Sequence, residues 1–262
     1  METSYLGRED APLSAGTWKL LDATMIEAAK SQLAGRRLLS IEGPFGFGLK
    51  AVPLSDCEVA EGITASPFLP VNLVTTTFFL NKRDIAAAER DNLMLDLDPV
   101  ACAAMSCAAK EDGIIFSGIG DTPGLLGAEG SGSLALTTWD KVGTAADQII
   151  SAVTKMDDAG FHGPYCLGLA PSRYNLLLRR YPQGDGTELD HIRSIIGGDV
   201  VKAPALKTGG VLLASGKQYC SIVIGQDMSI GFVGPAGDAY EFSISESLAL
   251  FIRAPEAICV LT

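Results

Sequence analysis

The sequence predicts an α+β protein, and three observations support that class. Hydrophobic residues make up 47% of the 262 residues and charged residues 19%, which supplies enough apolar side chains for a large core. Before about residue 200, apolar side chains recur several times at helical spacing. From residue 210 onward, β-branched and alternating segments indicate strands instead. The chain has no internal repeat and no low-complexity tract.

The first predicted element is a helix after Ser14, whose hydroxyl can accept a hydrogen bond from the first helical turn. Gly35 is predicted to end it, because glycine adopts the left-handed conformation that closes many helices. The apolar positions on its buried face recur at intervals of three and four, and they are Trp18, Leu21, Met25, Ala29 and Leu33.

The segment 41–75 is predicted to be an extended arm or a long hairpin and not part of the core. It is rich in Gly and Pro and has no helical period, and loops of this length are uncommon inside compact domains. Such an arm cannot bury its own apolar side chains, so a neighbouring subunit is the expected partner. The apolar residues of the arm include Phe45, Phe47, Val52, Phe68 and Leu69.

Helices follow a single strand in the next part of the chain. Residues 71–80 are β-branched and aromatic and predict a strand, after which Asn81 can cap a short helix that runs to Arg90. Asp98-Pro99 is predicted to begin a longer helix that ends near Gly118, because proline is favoured in the first helical turn.

The second half of the chain predicts three more helices and six strands. Asp140 is expected to cap a helix that stops at Gly160 and that buries Val142, Ala146, Ile149, Val153 and Met156. Two helices, at about 172–181 and 187–197, are separated by the glycine-rich turn 182–186. The predicted strands are 165–170, 210–215, 219–225, 229–233, 240–253 and 257–261.

The charge of the chain disfavours nucleic acid as a partner. The net charge is −11 at pH 7, and no run of Lys or Arg is longer than the pairs Arg36-Arg37 and Arg179-Arg180, so little is available to neutralise phosphates. No apolar run is long enough to cross a membrane, and the N-terminus lacks the pattern of a signal peptide. The expectation is a cytoplasmic protein without nucleic-acid or membrane partners.

No pattern predicts an active site, so no catalytic, cofactor-binding or metal-binding residue is assigned. His162 and His191 have no companion ligands nearby in sequence and are expected to be ordinary surface residues. The adjacent carboxylates Glu111-Asp112 and Asp157-Asp158 are expected to lie on solvated helix faces. The chain has six cysteines, and most of them are expected to be free core thiols. The six are Cys57, Cys102, Cys107, Cys166, Cys220 and Cys259.

Short stretches along nearly the whole chain together resemble one known family. They are Ala11-Pro12-Leu13, 32–37 running into 42–46, Gly163-Pro164-Tyr165, 225–232 and 255–261. In this order they resemble the encapsulins, whose subunits form closed protein nanocompartments.

The resemblance implies the fold of a tailed-phage major capsid protein of the Hong Kong phage type. This fold has a peripheral domain, an extended loop and an axial domain. The segments implied are an N-terminal arm and helix of the peripheral domain at 1–40, the extended loop at 41–75, the peripheral domain at 76–134, the axial domain at 135–222, and C-terminal strands of the peripheral domain at 223–262.

The resemblance also implies a function, that of a structural shell and not of an enzyme. About 60 copies would close by icosahedral symmetry around a cargo enzyme, a ferritin-like protein or a peroxidase concerned with iron storage or oxidative stress. The cargo would be recruited through a C-terminal targeting peptide. Some members hold a flavin with a Trp where this chain has Lys82-Arg83-Asp84, so flavin binding is not carried over. The alternative is a phage or prophage capsid protein that encloses DNA.

Two sets of site residues follow from the same resemblance. The turn that lines the fivefold pore would be Gln183, Gly184, Asp185, Gly186 and Thr187, with the glycines permitting a tight turn and Asp185 forming a ring of carboxylates. The cargo-peptide groove would be formed by Met25, Arg36, Ser40, Asp227, Met228, Ile230 and Phe232.

Overall fold

A computed structural model describes residues 3–91, 93–182 and 184–262. The chain divides into two compact units, and each contains three separate segments of the sequence. The first unit comprises 1–32, 42–111 and 223–249, and the second comprises 33–41, 112–222 and 250–262. The predicted axial segment, 135–222, lies within the second unit, and its boundaries stay a prediction.

Seven α-helices, four short 3₁₀ helices and sixteen strands are present in the described part of the chain. The helices are α1 (Ala15–Gln32), α2 (Gly35–Leu38), α3 (Lys82–Asp91), α4 (Asp98–Ser117), α5 (Thr144–Asp158), α6 (Pro171–Leu176) and α7 (Glu188–Ile196). The strands are β1 (Ser40–Glu42), β2 (Ala51–Pro53), β3 (Cys57–Ala60), β4 (Ile63–Ala65), β5 (Phe68–Pro70), β6 (Asn72–Asn81), β7 (Gly118–Ile119), β8 (Thr122–Pro123), β9 (Gly132–Leu134), β10 (Tyr165–Leu169), β11 (Val200–Lys202), β12 (Gly210–Ala214), β13 (Cys220–Ile224), β14 (Ser229–Ala236), β15 (Ala239–Ile252) and β16 (Ile258–Leu261).

The core of the first unit lies against strand β15, which pairs antiparallel with both β6 and β14. Phe242 of β15 is fully buried, and its ring stacks on Phe78 of β6 at 5.3 Å. Trp18 of α1 meets the same ring edge-on at 5.9 Å. The alternation of apolar and polar residues that predicted a half-buried strand is therefore confirmed.

The predicted arm contains no helix, as expected, and forms two small antiparallel ladders, β2 with β5 and β3 with β4. Several of its apolar side chains remain uncovered by the described residues of the chain. Their exposed fractions are 62% for Phe45, 60% for Val59, 59% for Ile63 and 65% for Phe68.

The second unit is built on a five-stranded sheet in the order β11-β10-β12-β16-β9. Strand β10 runs parallel to β11 and antiparallel to β12, and β16 runs antiparallel to β12 and parallel to β9. Helices α5 and α7 bury apolar side chains in the core of this unit, among them Ile149, Met156 and Ile192. Strands β12–β16 confirm the five strands predicted after residue 210.

The start of α2 corrects two predictions. Helix α1 ends at Gln32, and Gly35 begins α2 and does not close α1. The carboxylate of Asp112 accepts hydrogen bonds from the backbone N–H groups of Ala34 and Gly35 at 2.8 and 2.9 Å. Asp112 is 2% exposed and Glu111 is fully buried, so the expectation that this pair is solvated is wrong. Residues 114–116 are buried as well, whereas Ala109 and Lys110 are exposed.

The cap of α5 is also not the predicted residue. The N-cap position is Gly143, which has φ +101° and no side chain to offer, and Asp140 accepts a hydrogen bond from Thr138. Glu188 of α7 takes the place of an N-cap side chain. Its Oε1 accepts hydrogen bonds from the Gly143 nitrogen at 2.9 Å and from the Ala146 nitrogen at 3.2 Å.

Helix α6 is shorter than predicted because the chain turns into a hairpin after Leu176. The carbonyls of Leu177 and Arg179 accept hydrogen bonds from Leu189 and Glu188, at 2.8 and 3.0 Å. These bonds run across the hairpin and do not continue the helix. The strands β9 and β11, of three residues each, were not predicted, because short strands carry too few residues to show a period.

All six cysteines are free, as expected, but only three are buried. Cys57 on β3 and Cys102 on α4 are exposed, which corrects the expectation that most are core thiols. Burial raises the pKa of the Cys220 thiol to about 12 and also raises that of Cys259. Both histidines are exposed, as predicted. Among the described residues, none of the helices is both long and apolar enough to cross a membrane.

Candidate functional site

The first candidate site is a groove in the first unit, and helix α1 forms one side of it. Ser14 Oγ accepts a hydrogen bond from the Thr17 nitrogen at 3.2 Å, so the predicted cap of this helix is confirmed. Asp22, Met25 and Ile26 follow at helical spacing and share one side of the helix. Met25 is 4% exposed and Ile26 is 45% exposed, so the helix offers an apolar surface beside a carboxylate.

The turn before β14 forms the opposite side. Phe45 N and Gly46 N donate to the carbonyls of Ile224 and Gly225, at 3.0 and 2.6 Å, which holds the start of the arm against this turn. Gln226 N donates to Ser247 Oγ at 2.8 Å. A Cβ atom at Gly225 would lie 2.4 Å from the Ser247 oxygen, so glycine is required for this close approach.

The groove between these sides has a volume of about 390 Å³. Its surface is mainly apolar, with the exposed carboxylate of Asp227 among the polar groups. This combination suits an extended peptide with apolar side chains, because such sites bind through apolar contact and use a few polar groups for orientation. The lining residues are Leu6, Arg8, Asp22, Met25, Ile26, Pro44, Phe47, Gly225, Gln226, Asp227, Met228 and Ser229.

Three of the predicted groove residues, Met25, Asp227 and Met228, line this groove together. Ile230 is fully buried and does not line it, although its carbonyl accepts a hydrogen bond from Arg8 Nε at 2.7 Å. Phe232 packs against the rings of Tyr240 and Phe242, at 5.8 and 5.4 Å between centroids.

The other two predicted groove residues belong to the second unit. Arg36 is half-buried in α2, and Ser40 is exposed at the start of β1. Their contribution to a cargo groove stays a prediction.

Sequence reasoning missed several lining residues. Asp22 and Ile26 could have been found, because they lie three residues before and one after Met25 on the same helix. Arg8 and Leu6 precede the first predicted element and belong to no periodic pattern. Phe47 was noted only as an apolar residue of the arm.

The second candidate site is the hairpin between α6 and α7. Arg180 and Thr187 form a β-bridge, and Tyr181 N donates to the Gly186 carbonyl at 3.2 Å. Gly184, Asp185 and Gly186 are exposed at its end. Gln183 lies outside the described residues.

Gly186 has no positive φ angle, and a Cβ atom there would meet nothing within 4 Å, so this position does not itself require glycine. The hydrogen bonds at the base of the hairpin hold the turn.

The side chains at the base of this hairpin form a local network. Thr187 and Asp190 make a reciprocal capping box at the start of α7, and the hydrogen bonds from Thr187 lower the pKa of Asp190. Tyr181 Oη and His191 Nδ1 lie 2.8 Å apart, and burial raises the pKa of Tyr181. Among the described residues, no group of three or more His, Cys, Asp or Glu side chains could hold a metal ion.

Known proteins resemble this chain over most of its length. The family model described as "Encapsulating protein for peroxidase" matches residues 2–249. The type 1 encapsulin shell protein EncA of Myxococcus xanthus is 32% identical, over 98% of this chain and 96% of its own length.

Solved structures show the fold. A virus-like particle from Pyrococcus furiosus superposes with a TM-score of 0.77 and 20% identity, over 94% of this chain and 99% of that chain. The capsid of Myoviridae phage XM1 gives a TM-score of 0.58 and 12% identity, over 86% and 89%. The predicted fold of a tailed-phage major capsid protein is therefore confirmed. Because the family model and the Myxococcus xanthus relative both match most of its length, this chain belongs to the encapsulin family of shell proteins.

Proposed function

We propose that this chain is the subunit of a cytoplasmic, icosahedral protein shell that encloses a cargo enzyme. The observation that carries the proposal is the exposed apolar surface of the arm 41–75, since a long apolar arm is stable in water only when another molecule covers it. Contacts in which one subunit's arm covers the next subunit form a closed assembly when the rotation between subunits closes, and the smallest icosahedral shell has about 60 copies. The family description, which names a peroxidase as the enclosed protein, supports an enzyme as cargo.

The shell function is favoured over that of a phage capsid around DNA. The net charge of −11 gives the chain little to neutralise phosphates, and its curated relative from Myxococcus xanthus is an encapsulin. We further propose that the chain is not itself an enzyme, because the sequence offers no set of catalytic residues. Ferritin-like proteins and peroxidases are the proposed cargo, which gives the shell a role in iron storage or oxidative stress.

Electron microscopy of the purified protein, before and after nuclease treatment, tests the shell function. Closed particles that persist after nuclease and contain no nucleic acid are expected. A stable monomer in size-exclusion chromatography would refute the shell, and nuclease-protected DNA would favour the capsid alternative.

The groove is proposed to bind the targeting peptide of the cargo. Met25, Met228 and Phe47 provide apolar contact, and Asp227 can accept hydrogen bonds from the peptide backbone or attract a basic side chain. A fluorescent protein that ends in about ten residues of Leu, Gly and Ser is a suitable probe, because this tail combines apolar side chains with flexibility.

Met228→Glu is expected to reduce the number of probe molecules in each shell by roughly tenfold, because the change places a charge in an apolar contact. Co-expression, purification of the shells and a measurement of fluorescence per particle check this result. Val233→Glu is the matched control, because Val233 is 57% exposed on β14 and does not line the groove. Equal loading of both variants would mean that the peptide binds elsewhere, and no loading of wild-type shells would exclude an apolar tail as the signal.

The hairpin is proposed to line the fivefold pore, where five copies of Asp185 would form a ring that attracts cations. Asp185→Lys is expected to slow the initial uptake of ferrous iron by shells with an iron-oxidising cargo, and most strongly at low ionic strength because salt screens the ring. Asp121→Lys, at another exposed site of the second unit, is the control. An uptake rate equal to that of the wild type would mean that Asp185 does not control passage.

A further inference from the structure

The N-terminal segment Tyr5–Asp10 packs against β14, next to the side of the groove that the turn before this strand forms. It consists of parts of two short 3₁₀ helices, Thr3–Leu6 and Arg8–Asp10, joined at Gly7. Leu6 and Arg8 line the groove. The segment therefore contributes directly to the surface that a bound peptide would meet.

Arg8 makes three kinds of contact that hold this segment in place. Its Nη1 and Nη2 atoms donate to the two oxygens of Asp22 on α1, at 2.9 and 2.6 Å. Its Nε atom donates to the Ile230 carbonyl on β14 at 2.7 Å, and its guanidinium lies 4.5 Å from the centre of the Trp18 ring. One side chain thus joins the segment to both sides of the groove, and only a planar guanidinium can make these contacts at once.

The backbone around Gly7 also requires this close packing. Gly7 has φ +60°, and a Cβ atom there would lie 2.8 Å from the Phe232 carbonyl oxygen. The segment therefore approaches β14 too closely for any side chain at position 7.

The other end of the segment reaches across to the arm. The ring of Tyr5 stacks on that of Phe47 with 5.4 Å between centroids and 20° between planes. Phe47 lines the groove and is held beside it by the hydrogen bonds of Phe45 and Gly46. Tyr5 is 72% exposed, so this contact is peripheral and can open at little cost.

We infer that the segment Tyr5–Asp10 is a strap over the cargo groove, which Arg8 anchors and the Tyr5–Phe47 contact closes. The inference rests on the proposed function of the groove. Arg8 is a positioning residue, because it acts through the strap that it holds. A peptide enters the groove when Tyr5 parts from Phe47, and the contact then forms again over the bound peptide.

The anchor can be tested without any ligand. In assembled wild-type shells, hydrogen exchange measured by mass spectrometry is expected to be slow at residues 8–11, because Asp10 N and Ala11 N donate to the carbonyls of Gly7 and Arg8. Arg8→Lys keeps the charge but cannot make the three contacts, so exchange there should accelerate by about tenfold or more. Gly7→Ala should give the same result, and Gly16→Ala, a glycine with room for a methyl group, should not.

The effect of the strap on cargo loading is measured with the fluorescent protein that ends in the Leu, Gly and Ser tail. Arg8→Lys and Asp22→Asn shells are expected to retain roughly three- to tenfold fewer probe molecules, with unchanged particle size and unfolding temperature. Tyr5→Ala is expected to leave the amount loaded nearly unchanged but to speed the loss of the probe when shells are disassembled and diluted.

The outcomes separate this inference from the proposed groove. If Met228→Glu abolishes loading while Arg8→Lys changes neither hydrogen exchange nor loading, the groove binds the peptide as proposed and the anchored strap is refuted. If Arg8→Lys accelerates exchange but loading is unchanged, the segment is anchored as described and has no part in cargo binding, which also overturns the inference. If Met228→Glu shells load the probe normally, the proposal that the groove binds the peptide is refuted.

Discussion

Ile63→Asp is expected to abolish shell assembly and to leave the protein as small oligomers or monomers. Ile63 lies on β4 of the arm and is 59% exposed, so a carboxylate there is tolerated by the isolated chain. In a shell the same carboxylate would be buried against another subunit, which costs several kcal/mol if it finds no partner. Every arm in the particle would carry that cost, so the equilibrium should shift almost completely from assembled shells to unassembled subunits. Size-exclusion chromatography and electron microscopy measure the outcome.

The matched control is Thr64→Asp, one residue further along the same strand. Thr64 is exposed and its side chain lies on the opposite face of β4 from that of Ile63, so the same charge is added with no loss of an apolar contact. Thr64→Asp is expected to assemble. Normal particles from Ile63→Asp would mean that the tip of the arm stays in solvent, and loss of particles from both variants would point to charge alone.

The second large effect is expected at Glu188, where the change is in stability. Its Oε1 caps α5, and its Oε2 lies 3.6 Å from Arg179 Nη2. Glu188 is fully buried and the Arg179 side chain is 30% exposed, and neither Oε2 nor Arg179 Nη2 has a hydrogen-bond partner among the described residues. Glu188→Ala would leave the N–H groups of Gly143 and Ala146 without their acceptor, so it should destabilise the second unit by about 3 kcal/mol.

Scanning calorimetry of purified shells should show this loss of stability as a fall of roughly 10 °C in the midpoint temperature of unfolding. Glu129→Ala, which removes an exposed glutamate from the same unit, should leave the transition within about 1 °C of the wild type. An unchanged transition for Glu188→Ala would mean that water or another group replaces the carboxylate, and that the hairpin is held by its backbone bonds alone.

Local signals in the sequence predicted much of the fold. Asn81 caps α3 by accepting a hydrogen bond from Arg83 N at 2.8 Å, and Thr187 and Gly197 begin and end α7 as expected. Each of these residues lies within a few positions of the group that it contacts. Spacing along the chain is therefore sufficient to identify them.

The errors arose where the partner is distant in sequence. Glu188 is 45 residues from Gly143, and Asp112 is 77 residues from Gly35. Both carboxylates are buried because they cap a helix that another part of the chain brings to them. No local pattern distinguishes them from solvated acids, so they were assigned to the surface or not noticed. The same reason explains why Arg8 was missed in the groove, since its partners Asp22 and Ile230 become neighbours only in the folded chain.

The division of the chain into interleaved segments affects when the protein can fold during its synthesis. The first unit includes residues 223–249 and the second includes 250–262, so neither unit can be completed until these segments have been synthesised. In particular, β16 is the fourth strand of its sheet and connects β12 to β9. A nascent chain that still lacks it has an open sheet edge and cannot reach its final form. Subunits therefore become competent to associate only after β16 has been synthesised and has joined its sheet.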